Sequence, residues 1–215
     1  MRILNLYAGI GGNRKLWSDK HEITAVELDT NIACVYRDLF PNDEVVVGDA
    51  HEYLLQHYQE FDFIWSSPPC QSHSQYRHNV GVLAKGFDPL YPDMSLYQEI
   101  ILLTTYFGAR RWVVENTRPY YEPLIKPSIV LQRHYIWSNY FIEDKKFASK
   151  NIRSRNKISD YSDLFDISSS GIKNKRQVLR NCVEPEVGKH ILDCALEHAG
   201  CKPKDNIGLF AGLYL

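Results

Sequence analysis

The chain has 215 residues, of which 44% are hydrophobic and 24% are charged, and its formal net charge at pH 7 is −1. These proportions are typical of globular proteins that bury a sizeable core, so they exclude fibrous and disordered chains. The length favours one catalytic-size domain with a small addition over a large multidomain assembly. A net charge close to zero, taken over the whole chain, argues against a polyanionic partner.

The amino-terminal segment and the cysteines favour a protein of the cytoplasm. The first apolar run is too short for a signal peptide, and no window approaches about 18 uncharged apolar residues, so we expect no membrane segment. The five cysteines are irregularly spaced and form no CxxC pair, which predicts neither a disulfide framework nor a zinc site. We therefore expect reduced thiols in a cytoplasmic, soluble protein.

Short apolar runs alternate with segments of helical spacing along the first half of the chain. We predict strands at 3–7, 23–27, 44–47, 61–65 and 112–114. We predict helices at 13–20, 31–40, 50–58 and 95–108. This alternation indicates βαβ units, and therefore an α/β fold with a doubly wound, mostly parallel sheet. Two extended runs within 129–141 predict an antiparallel addition to the edge of that sheet.

The second half of the chain is harder to interpret, and a helical pattern returns only at 175–199. There, Val183, Val187 and Ile191 recur every four residues and predict one buried face. We divide the chain into three parts: a catalytic and cofactor-binding domain at 1–142, a small basic segment at 143–175, and a C-terminal helix and tail at 176–215 that pack back on the catalytic domain.

Glycines and acids follow the first three predicted strands. Gly9, Gly11 and Gly12 come between the first strand and a predicted helix, where close backbone approach and free N–H groups suit an anion. Glu27 and Asp49 follow the second and third strands, at the edge where doubly wound sheets bind ligands. The first acid suits two ribose hydroxyls and the second suits an adenine amino group, so an adenosine-bearing cofactor is predicted. A tight turn would also explain the glycines, and a helix N-cap would explain either acid.

A cysteine and a glutamate follow the next two strands. Cys70 lies on a turn stiffened by Pro68 and Pro69, a place that suits a nucleophile, although a lone cysteine is more often a small buried hydrophobe. Glu115 ends the fifth strand and is expected to face Cys70 across neighbouring strands. With a raised pKa, this carboxylate is a candidate general acid; the alternative is a solvated or capping glutamate.

Several short motifs, in their order and spacing, resemble those of the DNA (cytosine-5) methyltransferases. They are LYAGIGG at 6–12, ELD at 27–29, GD at 48–49, PPCQ at 68–71, ENT at 115–117 and QRHY at 132–135. A further stretch, RNCVEP at 180–185, resembles the family's C-terminal motif, where a helix packs against the cofactor pocket. The resemblance implies a Rossmann-like fold, S-adenosylmethionine as cofactor and cytosine in DNA as substrate.

The resemblance also implies roles for individual residues. The Cys70 thiolate would add to C6 of cytosine, protonated Glu115 would hold N3 and the exocyclic amine, and Arg133 would contact O2. Cofactor binding is implied for Tyr7, Gly9, Gly11, Gly12, Glu27, Asp49, Pro69 and Asn181. Residues 72–94 resemble the family's mobile catalytic loop, which closes over a base flipped out of the duplex. Contacts with nucleic acid are expected from Gln71, Arg77 and Lys85.

The region where the family carries a long target-recognition insertion is short in this chain and strongly basic. Residues 145–180 have a net charge of +7, which leaves −8 on the remainder. We interpret this segment as a small recognition arm that contacts phosphates through Lys145, Lys146, Arg153 and Arg155; the alternative is a solvated charged face. Duplex DNA is the favoured substrate. The small arm also suits single-stranded DNA, relaxed specificity, or recognition supplied by a partner protein or a second copy.

Three other functions fit part of the pattern. Methylation of cytosine in RNA is compatible with the short recognition region. A nicotinamide oxidoreductase would explain the glycine turn and Glu27, but it leaves the PPCQ and EN motifs unexplained. A non-catalytic nucleic-acid-binding protein on the same scaffold would have no need of a nucleophile.

Overall fold

The computed structural model describes residues 1–147 and 175–197, and its centre is a seven-stranded sheet. The strands are β1 (Arg2–Leu6), β2 (Glu22–Glu27), β3 (Glu44–Val47), β4 (Phe63–Ser66), β5 (Arg111–Thr117), β6 (Ile129–Leu131) and β7 (His134–Ser138). Their order across the sheet is β3-β2-β1-β4-β5-β7-β6. Arg153 and Arg155 lie outside the described residues.

The first five strands are parallel, whereas β7 runs antiparallel to β5 and pairs in turn with antiparallel β6. The predicted α/β class, with a doubly wound sheet and an antiparallel edge addition, is therefore confirmed. The chain winds outward in one direction from β1 to β3 and in the other from β4 to β5. The crevice between the carboxyl ends of β1 and β4 is thus the switch point where such sheets bind ligands.

Five α-helices accompany the sheet in the described part of the chain. They are α1 (Thr30–Leu39), α2 (Ala50–His57), α3 (Ser95–Tyr106), α4 (Lys175–Asn181) and α5 (Pro185–Glu197). A short 3-10 helix (Tyr58–Glu60) follows α2, and a π-helical turn (Arg77–Leu83) precedes α3. Asp29 caps α1 and Asp49 caps α2 by accepting hydrogen bonds from backbone N–H groups of the first turn.

Alternate residues of the central strands pack on opposite faces of the sheet. Ile3 and Trp65 belong to a buried cluster that includes Ile191 of α5. Leu4 lies in a second cluster with Ile100 of α3. Because successive strand side chains point to opposite faces, α5 covers one face while α2 and α3 cover the other.

The helix predicted at 13–20 is wrong, because these residues form successive turns. The Asn13 amide donates to Oδ1 of Asn5 at 2.8 Å, and the buried Arg14 guanidinium pairs with Asp43 at 2.9 Å. These tertiary contacts hold the segment in a conformation that its helical pattern does not anticipate. The glycine motif is therefore not followed by a helix, and the anion-binding helix N-terminus expected there is not formed.

The helical pattern at 175–199 also divides into two helices. The chain leaves helical geometry between Asn181 and Pro185, and Pro185 then occupies the first position of α5. Val183 lies in the connection, yet Val183, Val187 and Ile191 are all buried in the same cluster. The predicted buried face is confirmed, whereas continuity of the helix is not. In the described ranges, no helix is long and apolar enough to cross a membrane.

Candidate active site

A large cleft at the carboxyl edge of the parallel strands contains most of the predicted site residues. Its volume is about 2010 Å³, above the roughly 300–1,000 Å³ of ordinary small-molecule sites, so it has room for a cofactor and a base together. The predicted residues that line it are Tyr7, Gly9, Gly12, Glu27, Asp49, Pro69, Cys70, Gln71, Arg77, Lys85, Glu115, Arg133 and Asn181.

The glycine turn after β1 holds the first acid of the cleft. The Gly9 N–H donates to one oxygen of Glu27 and the Asp29 N–H donates to the other, both at 2.9 Å. A Cβ added at Gly9 would meet no atom within 4 Å, so the space beside this turn is open. The carboxylates of Glu27 and Asp49 can accept hydrogen bonds from hydroxyl and amino groups. Adenosine carries both kinds of donor, so these two acids fit an adenosine-bearing cofactor.

Gly11 has a different role from the one expected. It does not line the cleft, and a Cβ at this position would lie 2.3 Å from the Phe40 ring and 2.9 Å from the Tyr36 ring. Its φ of 77° is also a conformation that favours glycine. Packing against α1 therefore explains this glycine, and the assignment of Gly11 to cofactor binding is corrected.

A buried carboxylate that the sequence analysis missed lies beneath the cleft. Glu99 of α3 is fully buried and accepts from the Tyr7 hydroxyl at 2.6 Å and the Ser66 hydroxyl at 2.5 Å. Its contact with His51 Nδ1, at 3.0 Å, raises the pKa of that histidine. The sequence pattern that could have revealed Glu99 is an acid placed three residues after Leu96, on the apolar face of α3. This network joins the ends of β1 and β4 to α2 and α3.

Cys70 lies on the proline turn after β4, as predicted. The buried Asn116 amide donates to the Pro68 carbonyl at 3.0 Å and so ties this turn to β5. Burial, followed by the charge of Glu115, raises the pKa of the Cys70 thiol to about 11, although nearby arginines act in the opposite direction. The thiol is therefore protonated at neutral pH in this arrangement.

Glu115 is buried at the end of β5, but its expected protonation is not found. Burial by itself would raise the pKa of this carboxyl. The contact with His134 Nδ1, a hydrogen bond from Ser67 and the charge of Arg133 together outweigh burial and lower it. Glu115 is therefore a carboxylate at neutral pH, and the raised pKa predicted for it is corrected.

Arg133 joins the cleft to the C-terminal helices. Its guanidinium donates to the Arg180 carbonyl at 3.0 Å and the Cys182 carbonyl at 3.4 Å, and its Nε donates to His134 Nε2 at 3.2 Å. The backbone at the end of α4 and just beyond it thus holds this arginine against the cleft. Asn181, the last residue of α4, also lines the cleft.

The segment that follows Cys70 forms one wall of the cleft. It contains the π-helical turn, an element frequently found at functional sites. Arg77 and Lys85 line the cleft, as does Tyr76, whose ring lies 5.2 Å from the guanidinium carbon of Arg180. A cation–π contact therefore connects this segment to α4.

Lys145 and Lys146 lie apart from the cleft. Both are exposed and neither contributes to the lining. Strand β7 is antiparallel to β5, so the chain that follows Ser138 leaves the sheet at the amino edge of the parallel strands. The contact with nucleic acid predicted for these two lysines therefore stays a prediction, and it would be made away from the cleft. Within the described ranges, no group of three or more metal-ligating side chains is present.

The fold defines a Rossmann-like α/β protein whose large cleft lies at the switch point of the sheet. Within it, residues 1–97 match the model of the C-5 cytosine-specific DNA methylase family. This match contains the glycine turn, both cofactor-type acids and the PPCQ motif, so the family resemblance is confirmed over this part of the chain. S-adenosylmethionine is the cofactor that this family implies.

Solved structures of methyltransferases are also similar to this chain. A DNMT2 mutant from Spodoptera frugiperda is 26% identical over 54% of this chain and 35% of its own, with a TM-score of 0.38. A TehB-like SAM-dependent methyltransferase from Corynebacterium glutamicum is 19% identical over 57% and 58%, with a TM-score of 0.37. A SAM-dependent methyltransferase from Agrobacterium tumefaciens is 12% identical over 54% and 38%, with a TM-score of 0.38.

The overlap thus spans about a third of the length of the DNMT2 chain. No curated protein sequence matches this chain.

Proposed function

We propose that this protein transfers a methyl group from S-adenosylmethionine to C5 of cytosine in DNA. The proposal rests on one observation: the same cleft is lined by Cys70, Glu115 and Arg133 and by the acids Glu27 and Asp49. A cysteine, an acid and an arginine suit attack on a pyrimidine ring, and the two acids suit an adenosine-bearing cofactor. The match of residues 1–97 to the cytosine-5 family supports the same reaction.

The residues around the glycine turn would hold the cofactor, which supplies an electrophilic methyl group when bound. They are Tyr7, Gly9, Gly12, Glu27, Asp49, Pro69 and Asn181. Glu27 would bind the ribose hydroxyls, because its two oxygens are already fixed by backbone N–H groups. Asp49 would accept from the adenine amine.

Cys70 would act as the nucleophile on C6 of the base. Cytosine C5 is a poor nucleophile, and bond formation between sulfur and C6 makes the ring an enamine that is nucleophilic at C5. The thiol must first lose its proton to solvent water, and the positive charges of Arg133 and Arg180 favour the thiolate. After methylation, solvent water would take the C5 proton, the bond between sulfur and C6 would break, and Cys70 would leave as the thiolate.

Glu115 and Arg133 would orient the base. As a carboxylate, Glu115 can accept a hydrogen bond from the exocyclic amine, a group that uracil and thymine lack. Arg133 would contact O2 and stabilise the electron-rich intermediate. Because C6 lies within the base stack, a duplex target must be flipped into the cleft, at a cost of a few kcal/mol.

The test is transfer of labelled methyl groups to duplex DNA, single-stranded DNA and RNA in parallel, followed by mapping of the modified bases. We expect transfer to C5 of cytosine in DNA. Cys70→Ser should abolish transfer while cofactor binding is retained, and Cys34→Ser, at an exposed site on α1, is the matched control. Undiminished transfer by Cys70→Ser would overturn the mechanism, and transfer to RNA alone would overturn the substrate.

The covalent step has a separate test. Fluorine at C5 of cytosine blocks the elimination that releases the enzyme. DNA containing 5-fluorocytosine should therefore form a stable adduct with the protein but not with Cys70→Ser, as seen by mass spectrometry. Absence of an adduct under conditions in which ordinary DNA is methylated would contradict a cysteine intermediate.

A further inference from the structure

Glu115 is paired with a histidine whose role the proposed reaction leaves open. Glu115 on β5 lies opposite Ile136 of β7, and Thr117 lies opposite His134. In an antiparallel pair, Glu115 and His134 are therefore diagonal neighbours on one face of the sheet, within reach of long side chains. Nδ1 of His134 contacts Oε1 of Glu115, and both residues are buried.

The contacts of His134 define which ring nitrogen carries the proton. The Nε of Arg133 donates to His134 Nε2 at 3.2 Å, and a guanidinium cannot accept a hydrogen bond. Nε2 must therefore be the unprotonated nitrogen, and Nδ1 carries the hydrogen that is donated to Glu115. In this arrangement His134 is a neutral imidazole and Glu115 is a carboxylate.

A second donor fixes the carboxylate from the side of the nucleophile. The Trp65 indole donates to the Ser67 hydroxyl oxygen at 2.8 Å, which leaves the hydroxyl hydrogen to be donated to Glu115. Ser67 belongs to the same turn as Cys70. Glu115 thus accepts hydrogen bonds from both neighbours, and both favour its ionised form.

This state of Glu115 suits only half of the recognition of cytosine. A carboxylate accepts a hydrogen bond from the exocyclic amine, but N3 of cytosine is itself an acceptor and requires a donor. Glu115 must therefore gain a proton when the base binds. His134 is the neighbour that can supply one, and Arg133 blocks its other nitrogen.

We propose that His134 is a positioning residue that holds Glu115 as a carboxylate and passes it a proton when Arg133 leaves the imidazole for the base; this inference rests on the proposed function. A solvent proton bonds to His134 Nε2 once Arg133 has moved, and the Nδ1 proton crosses to Glu115 Oε1. Histidine ends as the opposite neutral tautomer, and Glu115 becomes a carboxylic acid that donates to N3. One proton is taken up from solvent.

The charged and titratable groups around this pair come from three parts of the fold. Cys70 follows β4, Arg133 directly precedes β7 and Arg180 is on α4. Of these, Arg133 is the one bonded to the imidazole, and it is exposed. Its movement is thus the event that opens His134 to a proton.

The first experiment observes the tautomer directly by ¹⁵N NMR of histidine-labelled protein. The variant Cys70→Ser, which cannot form the adduct, is measured in two samples. One contains the protein alone, and the other also contains cytosine-containing DNA and the cofactor that has lost its methyl group. We expect the His134 proton on Nδ1 in the protein alone and on Nε2 in the complex. Retention of the proton on Nδ1 in the complex would overturn the proposal.

The second experiment measures kcat and KM as functions of pH for the wild type and His134→Asn. The asparagine amide can still donate to Glu115 but cannot take up a proton. We expect kcat to fall by about 100-fold, a usual contribution of a proton-transfer group, with the KM for cofactor unchanged. The dependence of kcat on pH should also change, because the carboxyl would then have to gain its proton directly from solvent.

The matched control is His57→Asn, which breaks a histidine–glutamate contact with Glu60 on the protein surface. We expect its pH profile to follow the wild type. A His134→Asn profile that also follows the wild type would overturn this inference and leave the proposed function intact. A wild-type protein that methylates neither DNA nor RNA would instead overturn the proposed function, and the NMR measurement would still decide the tautomer of His134.

Discussion

Cys70 combines a position suited to attack with a thiol that resists ionisation. Its pKa of about 11, set first by burial and then by Glu115, leaves about one thiol in 10,000 ionised at pH 7. Since the thiolate is the reactive form, this protects the cysteine from alkylation and oxidation before substrate binds. Entry of the base between Cys70 and Glu115, together with the nearby arginines, would then favour the thiolate.

The reactivity of Cys70 should depend steeply on pH. In a Cys34→Ser background, we expect the rate of alkylation by iodoacetamide, followed by peptide mass spectrometry, to rise about tenfold per pH unit between pH 7 and 9, because the thiolate fraction does so below the pKa. Arg180→Ala should slow alkylation further, since Arg180 lowers this pKa. A rate independent of pH in this range would contradict the raised pKa.

Arg14 offers a comparison of a buried and an exposed partner on the same guanidinium. Its contact with Asp43 is between side chains that are 3% and 2% exposed, whereas the Asp19 side chain is 78% exposed. We expect Asp43→Ala to lower the free energy of unfolding by about 3–5 kcal/mol, because it leaves a buried charge without a partner on that side. Asp19→Ala should cost about 0–1 kcal/mol, as exposed pairs do. Equal losses in urea unfolding would show that burial does not set the difference.

At the scale of elements, the C-terminal helix α5 is fitted closely to the turns after β1. A Cβ at Gly188 would lie 2.4 Å from the Asn13 carbonyl oxygen, and the Trp17 indole donates to the Gly188 carbonyl at 3.1 Å. Backbone is thus packed on backbone at this crossing. The same turns follow the glycine motif, so α5 supports the side of the cleft that Gly9 and Glu27 line.

Gly188→Ala tests this fit against helix propensity. Propensity alone would make alanine more stable by about 1 kcal/mol in a helix interior. We expect instead a loss of about 1–3 kcal/mol in the free energy of unfolding, since the backbone of Asn13 must move. Gly48→Ala, where an added Cβ meets nothing within 4 Å, should change stability little. A gain in stability for Gly188→Ala in urea unfolding would contradict the packing.

The sequence was informative about elements whose pattern and packing agree. The parallel strands and α3 follow apolar periodicity, and the acids and Cys70 are found at the strand ends because the topology requires it. The helix predicted at 13–20 failed because Asn13 and Arg14 bind distant partners, which no local pattern reveals. The His134 tautomer and the ionised state of Glu115 depend on contacts between β5 and β7. They therefore required the structure.

At the scale of the molecule, the cleft and the exposed pair Lys145 and Lys146 lie at opposite edges of the sheet. Arg77 and Lys85 line the cleft, while Lys145 and Lys146 follow the strand that leaves by the amino edge. The net charge of −1 is a sum over the whole chain, so it does not show that these basic side chains lie at two separate edges.

Salt dependence of DNA binding should test the two edges separately. Each phosphate contact releases counterions, so we expect Arg77→Ala to reduce the slope of log affinity against log salt concentration by about 1. Lys146→Ala should also reduce the slope, because Lys146 is predicted to contact phosphates away from the cleft. Fluorescence anisotropy with a labelled duplex would measure both. An unchanged slope for Lys146→Ala would contradict the phosphate contact predicted at the amino edge.

The seating of α5 also has a consequence for synthesis of the chain. Trp17 and Gly188, which meet in the finished fold, are separated by 171 positions. At typical rates of about 5–20 residues per second, the ribosome needs roughly 10–30 s to make the intervening chain. During that interval Ile3, Trp17 and Trp65 lack the helix that finally covers them. During synthesis, one face of the nascent sheet is therefore apolar and uncovered. A chaperone can bind this face, and the same face can also lead to aggregation.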